Sequence, residues 1–490
     1  MRQHGPNRFT RAAISSKSAD EGSLFVALRG AAADGHDYVR DAINGGAAGV
    51  LVDREVDVPL GVTVIEVPDT LQALQDLAGA LRRKYNPQIV AITGSAGKTT
   101  TKDMVAHVLR LKFEVLRSLG SHNNHLGVPL TLSSLDRAHS RAVIEIGTNN
   151  KGEIDKLATL VAPDVGVITN VGYAHIGNFG SQEEIAEEKV SLFNHVPAGG
   201  ACIINGDDAL LGVMTERFIN GSGKRRLSVG FDARNDVWAE SVELHENGMS
   251  GIVRHAGMSA GFFVSAPGRH LVYSALFALA VGLENGIDLE SGSEALRSFV
   301  PPLGRSTLIR LRPDLVILDD SHNASPDAVL AALSLLEELP GKVKIAVLGD
   351  MRELGEKTAE LYALVGARAA TVVSHLLTVG PDGELMIAAA LNRGLGVRNA
   401  WSVPSARDAL HLIRRILAGT TDASAVLVKG ARFTHMERVS LGLRGMDIGC
   451  GLGNCRLYTN CSTCPQLAVE SDSVEQERAA RRAVHRNLSG

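Results

Sequence analysis

The stretch "IVAITGSAGKTTTKDMV" at residues 89–105 constrains the fold more than any other part of this chain. An apolar, β-branched run ends at Thr93, a turn holding Gly94 and Gly97 follows, and Met104, Val108 and Leu111 then recur at helical spacing. A strand that passes into a helix through so tight a turn aims backbone N–H groups and a helix start at one point, which is what binding a phosphate requires. Residues Gly94, Ser95, Ala96, Gly97, Lys98, Thr99 and Thr100 form the expected cradle, with Lys98 reaching the outer phosphates and the Thr99 hydroxyl offered to Mg2+. The common loop pattern has a further glycine where Ile92 stands, so this is a shortened variant. No Asn/Thr-Lys-x-Asp segment ends a later strand, which favours ATP over GTP.

A chain of 490 residues with 45% apolar content can bury several cores, and its length suggests about three domains. The net charge of -4 provides no basic field for nucleic acid or an anionic membrane surface. No run approaches the roughly 18–20 apolar residues that cross a bilayer, and the start "MRQHGPNRFTRAA" lacks the apolar stretch of an export signal. A monomeric cytoplasmic enzyme acting on small molecules is expected.

Short apolar runs alternate with helical stretches between Leu24 and Val67, giving a small α/β unit that ends where proline follows Asn86. Next, "IVAITG", "RAVIEIG", "VGVITNV" and "ACIIN" are near-continuous apolar runs, as parallel strands covered on both faces require, with Cys202 a core residue. Hairpin-like strands continue to Val264, and a helix after Gly268 completes this unit. From "LVILDD" the alternation restarts. The expected class is α/β in three domains: 1–86, small and N-terminal; 87–302, a nucleotide-binding domain with a mainly parallel sheet; and 303–440, Rossmann-like. Residues 441–490 form a cysteine-containing tail whose charged end reads as mobile or a lone helix rather than core.

Glu145 lies inside an apolar strand, where a carboxylate needs a cation or strong hydrogen bonds to stay charged. His175 follows the next strand, on the edge where open parallel sheets bind ligands, so the two form a candidate metal pair. In "SQEEIAEEKVSLF", Ser181 and Glu184 have capping-box spacing, and Lys189 falls on the inward stripe of Ile185, Leu192 and Phe193. Glu183, Glu187 and Glu188 need only a solvated face.

With "TGSAGKTTTK", "NNHLGVPLTL", "EIGTNNKGEI", "AHIGNFGS", "AEEKVSLF", "NGDD", "PGRH", "LGR", "LDDSHNASPDA", "VLGDMRELG" and "VKGARFTHME" in one order, preceded by "LFVALRGAAADGHDYV", the chain resembles the ATP-dependent Mur ligases of peptidoglycan precursor synthesis. Within that family it is most similar to the member that joins D-alanyl-D-alanine to a UDP-muramoyl tripeptide. The resemblance implies an ADP-forming amide ligase working through an acyl phosphate. It assigns Glu145 and His175 to Mg2+ and matches Lys189 to a lysine that the family carbamylates. Asn205, Asp208, His270, Arg305 and Asp320 fall on the nucleotide side. Ser15, Ser16, His36, Asn123, Asn124, Asn149, Asn323, Lys429 and Arg432 fall on the substrate side, and His322 near the reaction centre.

The chain departs from the family at three places. Ser15-Ser16-Lys17 stands where Asp-Ser/Thr-Arg lies near the UDP site, and Leu271 and Ser274 replace two asparagines, one of which helps hold adenine. The third is the tail, where Cys450, Cys455, Cys461 and Cys464 follow C-x4-C-x5-C-x2-C, a set of thiolates for Zn2+ or an iron–sulfur cluster, with reduced free thiols the alternative. Two other functions stay open at this level: a paralogue joining an amine to a different carboxylate, and a nucleotide-binding protein without turnover.

Overall fold

The computed structural model describes residues 2–3, 5–30, 33–302, 304–452, 455 and 461–468. Three sheets organise them, each with helices on its faces. The charged end of the tail lies outside the described residues.

The central sheet has nine strands in the order Met258–Val264, Gly248–His255, Val237–His245, Arg225–Gly230, Ala201–Asn205, Val165–Ile168, Gln88–Thr93, Arg141–Glu145, Val115–Arg117. Its first three strands pair antiparallel with one another, and the remaining neighbours run parallel. The apolar runs are continuous because both faces are covered. Val90 and Ile92 join the cluster formed with helices Lys98–Leu109 and Arg269–Glu284, while Ile89 and Ala91 join the opposite cluster with Glu153–Val161 and Gln182–Val190. Ala201 and Ile203 alternate with Cys202 and Ile204 in the same way. The period of two is intact, but with neither face in water it produces no polar alternation.

Strand Gln88–Thr93 is where this topology reverses. The chain leaves it for Val115–Arg117 and Arg141–Glu145 on one side, then returns to Val165–Ile168 on the other. Loops after the three inner strands therefore diverge at their carboxyl ends and leave a crevice, the usual ligand position in an open α/β sheet. Residues 94–97, 146–150 and 169–175 are those loops.

The third sheet has six strands, Thr307–Arg312, Leu315–Asp320, Ser424–Lys429, Val343–Gly349, His375–Val379 and Ala400–Val403, parallel except at its first pair. The strand Thr307–Arg312 was not anticipated, because its residues are at most half-buried and carry no apolar run. In the small N-terminal sheet, strands Leu24–Val26, Gly49–Val52 and Thr63–Glu66 pair parallel.

Two sequence expectations need correction. Leu111 lies beyond the end of helix Lys98–Leu109 and is exposed rather than on its buried face. The start of the tail is core: Leu441, Ile448, Cys461 and Leu467 bury together against Leu410. Residues 441–467 are about as rich in apolar side chains as the whole chain, and several of them dock the segment.

The helix Thr70–Tyr85 joins the first two sheets. Asp69 caps its start by accepting from Leu71 N and Gln72 N, and Asn86 ends it in the left-handed region at φ 44°. Arg82, buried on this helix, donates from Nε to the Val161 carbonyl and from Nη2 to the Ala162 carbonyl, both at 2.9 Å. Those carbonyls end the helix Glu153–Val161, so the guanidinium supplies donors the helix itself lacks. Arg82→Ala should destabilise the chain by roughly 1–3 kcal/mol, the cost of leaving buried acceptors unpaired. A lowered urea midpoint is the expected reading, and an unchanged midpoint would contradict this account.

Candidate active site

A cleft of about 490 Å³ runs between the carboxyl edge of the central sheet and the third sheet. Its floor is the phosphate loop. Gly94 adopts φ +146°, and an added Cβ would lie 1.9 Å from Thr169 Oγ1, so the loop can pass this strand end only as glycine. Gly97, at φ +77°, turns the chain into the helix that begins at Lys98. The loop is held from the neighbouring strand: Ser95 N donates to the Asn170 carbonyl, Ala96 N to Asn170 Oδ1, and Thr169 Oγ1 to the Ala96 carbonyl. Lys98 Nζ folds back onto the Gly94 carbonyl at 2.7 Å and the Ser95 carbonyl at 3.3 Å. Burial pulls its pKa down, and the Glu145 charge opposes that shift.

Glu145 is 1% exposed at the end of its strand. Its Oε1 accepts from Asn123 Nδ2 at 2.7 Å, while the buried Oε2 has no partner among the described residues. A buried anionic oxygen left in this state is costly, and a bound cation removes the cost. This is the observation on which the residues fit a divalent metal, with the Thr99 hydroxyl and the His175 ring on the same cleft. His175 sits at φ 64° as the cap of the short helix Ile176–Phe179. Its Nδ1 is hydrogen-bonded to Glu353 of the third-sheet side, and Gly177 N donates to the Glu353 carbonyl at 2.9 Å. Nε2 is thereby the nitrogen left for a ligand.

Lys189 lies behind the cleft, on the helix Gln182–Val190, and is 2% exposed. Ser181 caps this helix through the N–H of Glu184. Burial pulls the Lys189 pKa down to about 7; the charge of Lys98 adds to the shift, and Glu188 opposes it. The amine is therefore substantially neutral near pH 7. Glu188 corrects the expectation of a solvated face: it is buried, accepting from Gly152 N at 2.7 Å and Ile154 N at 2.8 Å, whereas Glu183 and Glu187 are exposed.

The third sheet closes the other wall. Asp320 and Lys429 face each other on paired strands and form an ion pair, and Lys429 Nζ also donates to the Asn323 carbonyl at 2.9 Å. Asp320 Oδ1 accepts from Ser306 N, and Ser306 Oγ meets His270 Nε2 at 2.9 Å. Arg305 approaches His322 at 3.4 Å. Burial, with Arg305 and Arg432 nearby, holds the His322 pKa down at about 4, so the ring is neutral at pH 7. Leu271 and Ser274 both line the cleft, and Ser274 Oγ accepts from Thr101 Oγ1 at 2.9 Å. The hydroxyl thus joins the helices Arg269–Glu284 and Lys98–Leu109 across the cleft floor.

Of the residues singled out from the sequence, Ser95, Ala96, Gly97, Lys98, Thr99, Thr100, Asn123, Asn124, Glu145, Asn149, His175, Asn205, His270, Arg305, Asp320, His322, Asn323 and Lys429 line this one cleft. Others do not. Asp208 caps the helix Ala209–Ile219 and accepts from Val171 N. His36 is buried between Asp34 and the backbone of Asp53, away from the cleft, and Ser15 and Ser16 flank a short turn of the N-terminal unit. Arg432 is exposed beside it. The four tail cysteines are not gathered as one donor set: among the described residues, Cys461 converges with His435 and Glu437 instead.

Sequence reasoning missed several contributors. Lys102, four residues after Lys98 on one helix face, is fully buried and donates to the carbonyls of Ser118 and Gly120 at 2.7 Å, fixing the segment that leads to Asn123. A second lysine at i+4 was the available signal. Tyr273 lines the cleft and donates to Asp207 Oδ2 at 2.9 Å. Asp327 accepts from Tyr173 N at 2.6 Å across the sheets, which no local pattern announces.

Comparison with known proteins agrees with this geometry. Three family models match in chain order: "Mur ligase family, catalytic domain" at residues 9–82, "Mur ligase middle domain" at 92–282, and "Mur ligase, glutamate ligase domain" at 304–432. Proteins named UDP-N-acetylmuramoyl-tripeptide–D-alanyl-D-alanine ligase are 34% identical in Bacillus subtilis, covering 87% of this chain and 91% of the relative. The Escherichia coli protein of that name is 32% identical, covering 86% and 91%. Among solved structures, MurF from Acinetobacter baumannii superposes with a TM-score of 0.79 at 30% identity, covering 90% of this chain and 95% of that one. MurF ligase from Thermotoga maritima, in complex with ADP, gives 0.76 at 26% identity over 89% and 96%. A phosphate loop and an unpaired buried carboxylate oxygen on one cleft, with a buried lysine behind it, in a chain matched along its length by these relatives, place it in the Mur ligase family.

Proposed function

We propose that this chain is the ATP-dependent, ADP-forming ligase that joins D-alanyl-D-alanine to a UDP-N-acetylmuramoyl tripeptide in peptidoglycan precursor synthesis. The observation that carries the reading is the convergence of the Lys98 loop, the unpartnered Glu145 oxygen and the Arg305–Lys429 wall on one cleft. The relatives named for this reaction, 31–36% identical over most of their length, support the choice of substrates.

The reaction must activate a carboxylate that is a poor acyl donor at neutral pH. A carboxylate oxygen of the tripeptide attacks the γ-phosphorus of ATP, the bond to the β-phosphate oxygen breaks, and ADP leaves with an acyl phosphate formed. The amine of the dipeptide then attacks the acyl carbon, loses a proton, and the tetrahedral intermediate expels inorganic phosphate. In this reading the amides at the helix start, residues 97–99, and Lys98 hold the phosphates, and Arg305 faces the transferred group from the opposite wall. Thr99, Glu145 and His175 hold Mg2+, which when bound supplies positive charge at the phosphate oxygens. Asp320 orients the nucleotide sugar. Neutral His322 and Asn323 sit near the incoming amine. The chief contribution of the chain is alignment, since aligned reactants reach effective molarities of order 10⁵ M or more.

Lys189 takes a role its environment prepares. The neutral amine nitrogen attacks the carbon of CO2 and gives up a proton, so that the side chain becomes a carbamate anion beside Lys98 and the metal-binding side chains. With the pKa lowered to about 7, the reactive form grows as pH rises through about 7 and is nearly complete one to two units above it.

Phosphate release should require ATP, the UDP-linked tripeptide and the dipeptide together; release with another carboxylate but not with this donor would redirect the reading to a paralogue. Oxygen-18 placed in the donor carboxylate should appear in the released phosphate, and its absence during turnover would exclude the acyl phosphate. Incubation with 13CO2 should give a carbamate resonance whose intensity, at fixed dissolved CO2, rises between about pH 6 and 8 and then levels. Lys189→Ala should lack that resonance and lose activity by roughly 10- to 100-fold or more, as metal-organising groups do; full activity would remove the assigned role.

A further inference from the structure

The tail cysteines have no part in the ligase reaction, yet the structure builds something specific around one of them. His435 follows the strand Ser424–Lys429, is buried, and adopts the left-handed region at φ 50°. Its Nε2 lies 2.7 Å from the Cys455 carbonyl oxygen. A carbonyl only accepts, so Nε2 carries the hydrogen of this bond. In the neutral ring Nδ1 then presents a lone pair, and it faces Glu437 Oε1 at 3.0 Å and Cys461 Sγ at 3.3 Å. Three electron-rich atoms meet, all within 4.8 Å of one another.

Arg438 adds a second observation. This guanidinium is almost fully buried, and its Nε donates to Cys461 Sγ at 3.2 Å while Nη1 donates to the Leu452 carbonyl at 2.5 Å. A guanidinium this buried needs acceptors, and the sulfur and the carbonyl supply them, which fixes Cys461 Sγ in place beside His435 and Glu437. The two separations from His435 Nδ1, 3.0 Å to the oxygen and 3.3 Å to the sulfur, are close to the roughly 3.3–3.6 Å that a tetrahedral ion with Zn–N and Zn–O near 2.0 Å and Zn–S near 2.3 Å imposes. The segment also needs a fastening: from residue 444 to 468 the only helix among the described residues is the turn Cys461–Thr463, held by a few apolar side chains. Chain of this kind is commonly secured by a structural metal.

We propose that His435 Nδ1, the Glu437 carboxylate and the Cys461 thiolate bind a structural Zn2+ that fastens the tail to the third domain. Imidazole, carboxylate and thiolate together suit this borderline-soft ion. The His435 Nε2–Cys455 contact orients the ring, as partners of metal-bound histidines do. The site is separate from the cleft and does not depend on the proposed reaction.

The test is metal analysis of the untagged full chain, dialysed in magnesium-containing buffer without nucleotide. About one zinc per chain is expected, with three protein ligands and the fourth tetrahedral position left to water. His435→Ala, Glu437→Gln and Cys461→Ser should each lower that content with phosphate release retained, and Cys202→Ser should leave it unchanged. Cobalt put in place of zinc in the unaltered chain should show a near-ultraviolet thiolate-to-metal band, which the cleft cannot supply because no cysteine lines it. Zinc well below one per chain together with no such band overturns the proposal. So does iron with visible absorption, or zinc that survives His435→Ala and Glu437→Gln but is lost in Cys450→Ser or Cys464→Ser, which is the behaviour of a four-thiolate site.

Discussion

Everything in the cleft answers to a charge imbalance in a space with little water. Lys98, Arg305 and Lys189 all have their pKa values pulled down by burial, and the Glu145 carboxylate is the group that opposes this shift for both Lys98 and Arg305. One carboxylate does not neutralise both Lys98 and Arg305, and one of its oxygens has no hydrogen-bond partner among the described residues. A magnesium-bound triphosphate meets both requirements at once. Its phosphates supply anionic oxygen to the lysine and arginine, and its metal supplies a cation to the unpartnered oxygen. The empty arrangement is destabilised in the same places where the ligand binds, so the cleft is preorganised without rearranging dipoles at the moment of reaction.

That balance depends on the third domain, because Arg305, Asp320 and Lys429 belong to it. The contacts that hold it against the central sheet lie beside the reaction site: Tyr173 N to Asp327, Gly177 N to the Glu353 carbonyl, and the ring of His175 to the Glu353 carboxylate. Two of them rely on the absence of a side chain. A Cβ on Gly172 would lie 2.2 Å from Asp327 Oδ2, and one on Gly177 would lie 2.5 Å from Gly355 N. Ile176, Phe179 and Ile185 share a buried apolar cluster with Leu318, Met351 and Leu354 of the third domain, so the interface combines these polar contacts with an apolar patch that sets the two walls of the cleft against each other. His175 belongs to both walls, since the carboxylate that sets its ring nitrogen comes from the third domain.

Much of this was legible in the sequence, for a physical reason in each case. The inner strands announced themselves because a strand covered on both faces has to be apolar throughout, as Ile89 to Ile92 are. The loop was legible because its backbone, which does the binding, needs glycine at Gly94 and Gly97. Lys189 was visible as a charge on an apolar stripe. What stayed hidden depends on partners distant in the chain. Glu188 looks like any helix-surface glutamate until the amides of Gly152 and Ile154 arrive from the Glu153–Val161 helix. The strand Thr307–Arg312 has half-exposed residues and therefore no periodic signal. Ser15, Ser16 and His36 were placed by resemblance to motifs, and the geometry gives them roles within their own small sheet and its turns.

The same reasoning explains why two buried lysines near one another have different fates. Lys98 is close to uncommitted acceptors: two loop carbonyls already take its hydrogens, and Glu145 retains an oxygen whose charge is not spent on any amide. Lys189 has Glu188 as its adjacent anion, but that carboxylate is already hydrogen-bonded to two backbone amides and a threonine hydroxyl, which anchors it to the neighbouring helix start. Committed to those donors, Glu188 offsets little of the desolvation of Lys189, and the positive charge of Lys98 adds to it. At a pKa of about 7 the neutral amine is well populated at neutral pH, where an ordinary lysine is almost wholly protonated. A neutral amine held next to a site that lacks negative charge is the condition under which carbamylation is favourable, because the modification removes a suppressed cation and creates the anion that the neighbouring groups require. Glu188, which the sequence presents as surface, is thus committed elsewhere and leaves the Lys189 pKa low.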